Sequence, residues 1–433
     1  MFRNRFLHNS ILILLVSAIF SACVEEIEID TLNENDSSTL VVEAVLTNEA
    51  IIQKVYLSRS SNRLDLETDT IYNPYIPLGT RPFDSVDWEI GASVKLQSEN
   101  GEEYIFTESE DGIYHSNSPF ALQMGVNYTL DIKRNNGQEY ISDAITIQGT
   151  SRITNVYAEK AENDSGEEGI AIYVDSEQLE GNTEYFKYTY AETYKIVAPL
   201  WQNFEFELTN YDGIDDVVDY DLEVVEKEKE DRICYNTVSS NTIDVLSTAG
   251  VSKGNVSKHK VRFITKDNFI IAQRYSILVQ QQVQSADANS FYKILQSFSQ
   301  SDNVFSQIQP GAIYANVHRK DGAFENVYGQ IEAVGVANKR IFLNYEDFFP
   351  EEIPPFAFNC GFETAKLFNF PTDRCPQGLL ERIDKATVSY YSDYNEGLVP
   401  DASCPGPYIF VPRICGDCTL LGSNIVPDFW MEE

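Results

Sequence analysis

The sequence predicts a mainly β protein with two antiparallel β-sandwich domains, immunoglobulin-like or transthyretin-like, one short helix and a Cys-rich, loop-rich C-terminal cap. Runs of β-branched and aromatic residues recur along the chain, which is typical of strands. Asn100-Gly101 and Asn136-Gly137 each stand between two such runs, and Asn-Gly favours the two-residue turn of a β-hairpin. Five of the seven cysteines follow residue 359, which predicts cross-links near the C-terminus.

The first predicted domain covers residues 39–149. It contains two hairpins, one at each Asn-Gly pair, and begins with a β-branched run. Short strands joined by tight turns are typical of an antiparallel sandwich. The predicted strands include Leu40–Leu46, Val94–Leu96, Tyr104–Phe106, Tyr128–Ile132 and Tyr140–Ile141.

The second predicted domain covers residues 150–345 and is also rich in strands. Its helix is predicted near 286–299, because Phe291, Ile294, Leu295 and Phe298 have helical spacing and Ser285 or Asp287 can cap it. A further hairpin is predicted around Asp321-Gly322. The predicted strands are Ile170–Val174, Tyr185–Tyr190, Tyr194–Val197, Val261–Ile264, Tyr275–Val279, Ile313–Val317 and Val327–Ile331.

The C-terminal cap, residues 346–433, has weak apolar periodicity, so disulfides are expected to hold it together. An even number of cysteines in an exported chain predicts up to three disulfides. Because five of the six candidates lie in the cap, at least one bridge is expected to reach the second domain. Cys415-x-x-Cys418 leaves open half a zinc site or a redox pair. The candidates are Cys234, Cys360, Cys375, Cys404, Cys415 and Cys418.

Residues 1–22 have the pattern of a secretory signal peptide. Arg3 and Arg5 precede the apolar run Ile11–Phe20, and small residues lead up to Cys23. The apolar run is far shorter than the about 20 residues that span a bilayer. A cysteine directly after the cleavage site fits a bacterial lipoprotein signal, so Cys23 is predicted to carry the lipid that anchors the chain to the membrane.

Residues 23–38 are predicted to form an acidic tether. Four acidic residues follow Cys23 closely, and this tract resembles the one that exports Bacteroidota lipoproteins to the outer leaflet. We therefore expect a lipid-anchored, cell-surface location at the outer membrane. The alternative is an ordinary solvated linker. The export candidates are Glu25, Glu26, Glu28 and Asp30.

The formal net charge of −35 argues against nucleic-acid binding, because such a chain repels a polyanion. No catalytic or cofactor motif is convincing, and we expect a non-enzymatic protein without a cofactor or metal. The only literal match is Gly250-x-Ser252-x-Gly254, which lacks the α/β setting that a nucleophile elbow requires.

Two segments are weaker candidates for binding. Residues 212–231 are strongly acidic, but their spacing does not match an EF-hand loop, so a solvated loop is predicted and calcium binding is the alternative. Trp201 lies in the predicted loop Pro199–Phe204, where an exposed aromatic ring could bind a ligand. The alternative for Trp201 is a packed core residue.

Several motifs together resemble a known family. They are Leu40-Val41-Val42-Glu43, Gly125-x-x-Tyr128-x-Leu130-x-Ile132, Arg274-Tyr275-Ser276-Ile277-x-Val279-Gln280, Phe305 through Pro310 to Asn316, and Cys415-x-x-Cys418 with Pro427-Asp428-Phe429-Trp430. The chain resembles Bacteroidota surface lipoproteins of the domain of unknown function 4249. The resemblance implies an accessory or binding partner of a TonB-dependent receptor, in nutrient capture or outer-membrane assembly. Alternatives are a structural or adhesion lipoprotein without a transporter, and a glycan-acting enzyme.

Overall fold

The computed structural model describes residues 39–60, 86–211, 220–250, 254–299, 315–368, 377–400 and 402–432. The predicted signal peptide and acidic tether lie outside these ranges, and with them Cys23 and the four export candidates. Chain contacts separate Met1–Thr39 from Leu40–Glu433. All the described helices and strands belong to the second unit.

The first part of this unit is a series of short strands with alternating burial. Both predicted Asn-Gly hairpins are confirmed, because Gly101 and Gly137 take φ values of 88° and 85° in turns between paired strands. The strands are β1 (Leu40–Thr47), β2 (Lys54–Arg59), β3 (Asp87–Trp88), β4 (Ser93–Ser98), β5 (Glu103–Glu110), β6 (Ile113–Ser116), β7 (Tyr128–Lys133) and β8 (Glu139–Ser142).

The second part has longer strands and one long helix, α1 (Ala286–Ser299), which agrees with the predicted range. The two strands predicted between Tyr185 and Val197 are a single strand. The strands are β9 (Gly149–Glu162), β10 (Glu168–Gly181), β11 (Tyr185–Val197), β12 (Phe204–Thr209), β13 (Asp221–Glu226), β14 (Ile233–Ser239), β15 (Asp244–Ser247), β16 (Val256–Thr265), β17 (Arg274–Val283), β18 (Val317–Arg319) and β19 (Tyr328–Asn344).

One large sheet connects the two parts, in the order β14-β11-β17-β19-β1-β2-β6-β5-β4-β7-β8-β18. β19 lies where they meet. Its first half is parallel to β1, from Val41 opposite Tyr328 onward, and its second half is antiparallel to β17. A Cβ at Gly329 would lie 2.1 Å from the Val42 carbonyl oxygen, so the parallel pairing needs glycine there. The mainly β prediction is confirmed, but this pair is not antiparallel.

The predicted hairpin around Asp321-Gly322 is wrong in its pairing. The turn forms, since the Gly322 N–H donates to the Arg319 carbonyl at 3.3 Å. However, β18 pairs with β8 instead of with β19. The two predicted segments still meet next to the turn, where the Ala315 N–H donates to the Val327 carbonyl at 2.7 Å, and Val317 and Val327 are buried in the apolar core of the first part.

A second core lies between the large sheet and a three-stranded sheet of order β16-β10-β9. Inward-facing side chains of both sheets fill it. They include Ile172 and Val174 from β10, Tyr188 from β11 and Ile277 from β17. This core supports the half of the large sheet over which α1 lies.

The C-terminal segment forms a small sheet of order β20-β22-β21, from β20 (Glu363–Thr364), β21 (Val388–Asp393) and β22 (Tyr408–Pro412), with α2 (Leu379–Asp384) and α3 (Arg413–Gly416). It has an apolar cluster of its own around Leu379 and Phe410, which the weak periodicity did not indicate. Among the described residues, no helix is long and apolar enough to cross a bilayer.

One disulfide joins this segment to the second part, and another closes a loop within the segment. Cys234 of β14 bonds to Cys418, and Cys360 bonds to Cys415, so the predicted bridge between Cys234 and the cap is confirmed. Both cysteines of the Cys415-x-x-Cys418 motif are oxidised to different partners, which rules out the zinc and redox alternatives for this pair. Cys404 is also disulfide-bonded, whereas Cys375 lies outside the described residues.

Candidate functional site

The candidate site lies beneath α1, where the helix crosses the large sheet. The Ala288 N–H donates to the Ser285 hydroxyl oxygen at 3.1 Å, so Ser285 is the residue that caps the helix. Ala288 and Asn289 face the sheet and are fully buried. The Asn289 side-chain amide donates to the Phe186 carbonyl at 3.3 Å and to Gln284 Oε1 at 3.4 Å. These bonds fix the start of the helix over β11.

A buried polar group lies under the helix, and we call Lys187, Tyr292, Gln284 and Glu332 the sub-helix cluster. Lys187 Nζ is 3.8 Å from Glu332 Oε1, and the two side chains are 14% and 3% exposed. The same ammonium lies 3.6 Å from the centre of the Tyr292 ring. Gln284 Nε2 donates to Glu332 Oε2 at 2.9 Å. A lysine, a carboxylate and a phenol from three elements therefore share one buried environment.

Burial dominates the ionisation of this cluster. It raises the pKa of Glu332, although the positive charge of Lys187 acts in the opposite direction. Burial also lowers the pKa of Lys187, against the attraction of Glu332 and Glu43. The pKa of Tyr292 is raised by burial and by the neighbouring Glu332, so its hydroxyl remains a hydrogen-bond donor at neutral pH. At 3.8 Å, the attraction between Lys187 and Glu332 is too weak to offset the cost of burying the two charged groups.

Two cavities flank the helix. The first, of about 500 Å³, borders the face of α1 that carries Asp287, Ser290 and Ile294, and Glu332 belongs to its wall. The second, of about 520 Å³, borders the face that carries Tyr292 and Leu295, and Lys187 belongs to its wall. Phe291 lines both. Volumes of this size suit small molecules.

The two cavities differ in charge. Among the described residues, lysine, arginine and histidine are absent from the lining of the first cavity, which has three carboxylates, Asp143, Asp287 and Glu332. The second cavity combines Glu43 and Glu49 with Lys54 and Lys187. We call the first one the acidic cavity. Its remaining wall is made of amides, hydroxyls and the apolar side chains of α1 and β19.

The family of this chain is shown by a match of residues 24–340 to the family model described as "Domain of unknown function (DUF4249)". The chain belongs to the DUF4249 family. No curated protein sequence matches it. Among solved structures, it is similar to "Biofilm associated protein - B domain" at 9% sequence identity, over 72% of this chain and 86% of that chain. The TM-score of 0.14 is too low to indicate a shared fold.

Within the DUF4249 match, Trp201 is engaged by its own chain. It lies between β11 and β12, half-buried, and its indole N–H donates to Asp231. Lys227 and Arg232 each lie 5.7 Å from the ring centre. The indole nitrogen and its cationic neighbours thus already have partners, and ligand binding by Trp201 stays a prediction.

Most of the other candidates in the DUF4249 chain fall in segments that the structure does not describe. Ser252 and residues 212–219 lie outside the described ranges. In the part of the chain that the structure describes, no group of three or more His, Cys, Asp or Glu residues could hold a metal ion. The solvated loop thus stays the prediction for the acidic segment, with calcium binding as its alternative.

Sequence reasoning missed the sub-helix cluster. One signal was available, because the apolar run of β17 ends in Gln280-Gln281-Gln282, followed by Gln284. Three of these glutamines, Gln281, Gln282 and Gln284, are at most 5% exposed. Consecutive polar residues buried in a central strand are unusual and indicate a polar interior site.

Proposed function

We propose that this chain is a non-enzymatic lipoprotein on the surface of the outer membrane, which binds a small ligand and works with a TonB-dependent receptor. Nutrient capture or outer-membrane assembly is the process it would serve. The observation that carries the proposal is the start of the family match at residue 24, directly after Cys23. The family region thus begins where cleavage and lipidation are predicted to begin the mature chain.

The ligand-binding part of the proposal is supported by the cavities under α1. They combine an apolar wall with a few convergent polar groups, which is the usual composition of a small-molecule site. A helix held by Ser285 and Asn289 on a broad sheet is a rigid support for such a site. Rigid support favours binding because little ordering is needed when the ligand enters.

Co-purification from the native membrane tests the receptor. The full-length protein is captured from detergent-solubilised outer membrane with an antibody, and Cys23→Ala is processed in parallel. We expect a TonB-dependent receptor in near-stoichiometric amount with the parent protein, and loss of the variant from the membrane fraction. Capture of the lipidated protein without any receptor would overturn the receptor role. Turnover of a glycan panel by the purified protein would overturn the non-enzymatic assignment.

A further inference from the structure

We propose that the acidic cavity binds a small organic cation, a primary ammonium or a guanidinium group attached to a compact apolar body. This inference rests on the proposed function and names the ligand class of that site. It is carried by the cavity volume of about 500 Å³, by the absence of cationic side chains from its described lining, and by two buried oxygens in its wall that lack a hydrogen bond.

The first of these oxygens is Glu332 Oε1. The residue is 3% exposed, its Oε2 accepts from Gln284, and the Tyr292 hydroxyl also donates to this carboxylate. Oε1 forms an ion pair with the Lys187 ammonium at 3.8 Å and has no hydrogen bond of normal length. A buried carboxylate oxygen without a donor is costly. An N–H group of a ligand would supply the missing donor from the cavity side.

The second oxygen is Thr146 Oγ1, which also belongs to the wall and is buried without a hydrogen-bond partner. A hydroxyl can accept an N–H as well as donate. Glu332 and Thr146 are therefore two acceptors in the wall of the same cavity. A ligand anion would meet three carboxylates among the described lining residues, of which only Glu332 is paired with a lysine, Lys187, so anions are disfavoured.

The outer part of the cavity completes the recognition. Asp143 and Asp287 are exposed members of its lining, and exposed carboxylates attract cations from solution. Phe291 and Ile294 of α1 form an apolar wall. An aromatic face near a cationic ligand contributes further attraction. The ligand thus has a charged end for Glu332 and an apolar body for the helix.

Calorimetric titration of the detergent-solubilised full-length protein tests this assignment. The probes are phenethylammonium and benzylguanidinium, and 2-phenylethanol is the neutral counterpart of the first. We expect the cations to bind at least tenfold more tightly than the alcohol. Equal binding of cation and alcohol, or no cation binding, would overturn the inference.

Two variants locate the binding. Glu332→Gln should weaken cation binding at least tenfold, and the exposed Glu205→Gln on β12 is its matched control and should bind as the parent does. Because Glu332→Gln also disturbs Lys187, Ala144→Phe is used to fill the cavity from an exposed position. Unchanged binding in both Glu332→Gln and Ala144→Phe would place the cation elsewhere.

Receptor co-purification without cation binding would refute only the ligand class, and cation binding without a receptor would refute only the receptor role.

Discussion

Arg262 of β16 donates hydrogen bonds to both carboxylate oxygens of Glu192 of β11, at 3.1 Å each, and so joins the three-stranded sheet to the large sheet. The Tyr275 hydroxyl donates to the same carboxylate at 2.7 Å. Glu192 is 6% exposed, so three charge-assisted bonds replace the water it lost. This buried pair fixes the alignment of the two sheets over the second core.

Removing the arginine should therefore destabilise the fold. Arg262→Met leaves Glu192 buried without its cation, and we expect a loss of about 3 kcal/mol in the free energy of unfolding. The matched control is Arg152→Met, which breaks an exposed pair with Glu177 and should cost less than about 1 kcal/mol. Guanidinium denaturation monitored by tryptophan fluorescence measures both. Similar losses in the two variants would contradict the role assigned to Glu192.

The two disulfides should stabilise unequally. Cys234–Cys418 spans 184 residues and Cys360–Cys415 spans 55. A bridge that closes a longer loop restricts the unfolded chain more, and the loop-entropy relation gives a difference of about 1 kcal/mol. Thermal and chemical denaturation of Cys234→Ala/Cys418→Ala and of Cys360→Ala/Cys415→Ala compare them. The first double variant should be the less stable one, and the reverse order would mean that local packing outweighs loop closure.

Glu332 should make stability depend on pH in a defined direction. Its pKa is raised in the folded state, so folding favours the protonated form. The resulting stabilisation is fully present below the unfolded pKa of about 4.3 and is lost as pH rises through the raised folded pKa. The lowered pKa of Lys187 acts in the opposite direction, because folding favours its neutral form and stability rises as pH rises from the lowered folded pKa to the unfolded value of about 10.4.

The measurement is the difference in unfolding free energy between the parent and Glu332→Gln at several pH values from 5 to 8. As the pH falls, the parent should gain stability relative to the variant. Glu205→Gln serves as the control, and its difference from the parent should change little. A parent that gains relative stability as the pH rises would show that attraction to Lys187, and not burial, controls this carboxylate.

The acidic tether should determine on which side of the outer membrane the chain is exposed. Replacing Glu25, Glu26, Glu28 and Asp30 with alanine should leave lipidation intact but keep the protein facing the periplasm. Protease treatment of whole cells measures exposure. The control replaces Glu34 and Asp36 in the same tether and should remain accessible. Equal cleavage of all variants would indicate that the acidic tract is an ordinary linker.

The parts of the fold that depend on local sequence were predictable. Asn100-Gly101 predicted its hairpin, and the helical spacing of apolar residues from Phe291 onward predicted α1. Turns and amphipathic helices depend on residues that are close in sequence. The break assumed between Tyr190 and Tyr194 was wrong, since Glu192 looks like a strand interruption until Arg262 is known to bind it. A buried polar residue inside a strand is easily predicted to be a strand end, because the sequence does not show its partner.

The candidate site was not predictable for a related reason. Lys187 and Glu332 are separated by 145 positions, and each resembles an ordinary polar residue of an alternating strand. Their proximity depends on the position of β19 between β17 and β1. The parallel pairing of β1 with β19 has no local signal either, because strands so distant in sequence share no turn.

The position of β1 has a mechanical consequence. Under the proposed lipid anchor, any pull on the tether enters the folded unit at Leu40, the first residue of β1. β1 is bonded on both sides, to β2 and along seven residue pairs to β19. A force along the strand loads these bonds together in shear instead of opening them one by one, so the attachment point should be among the most pull-resistant parts of the molecule.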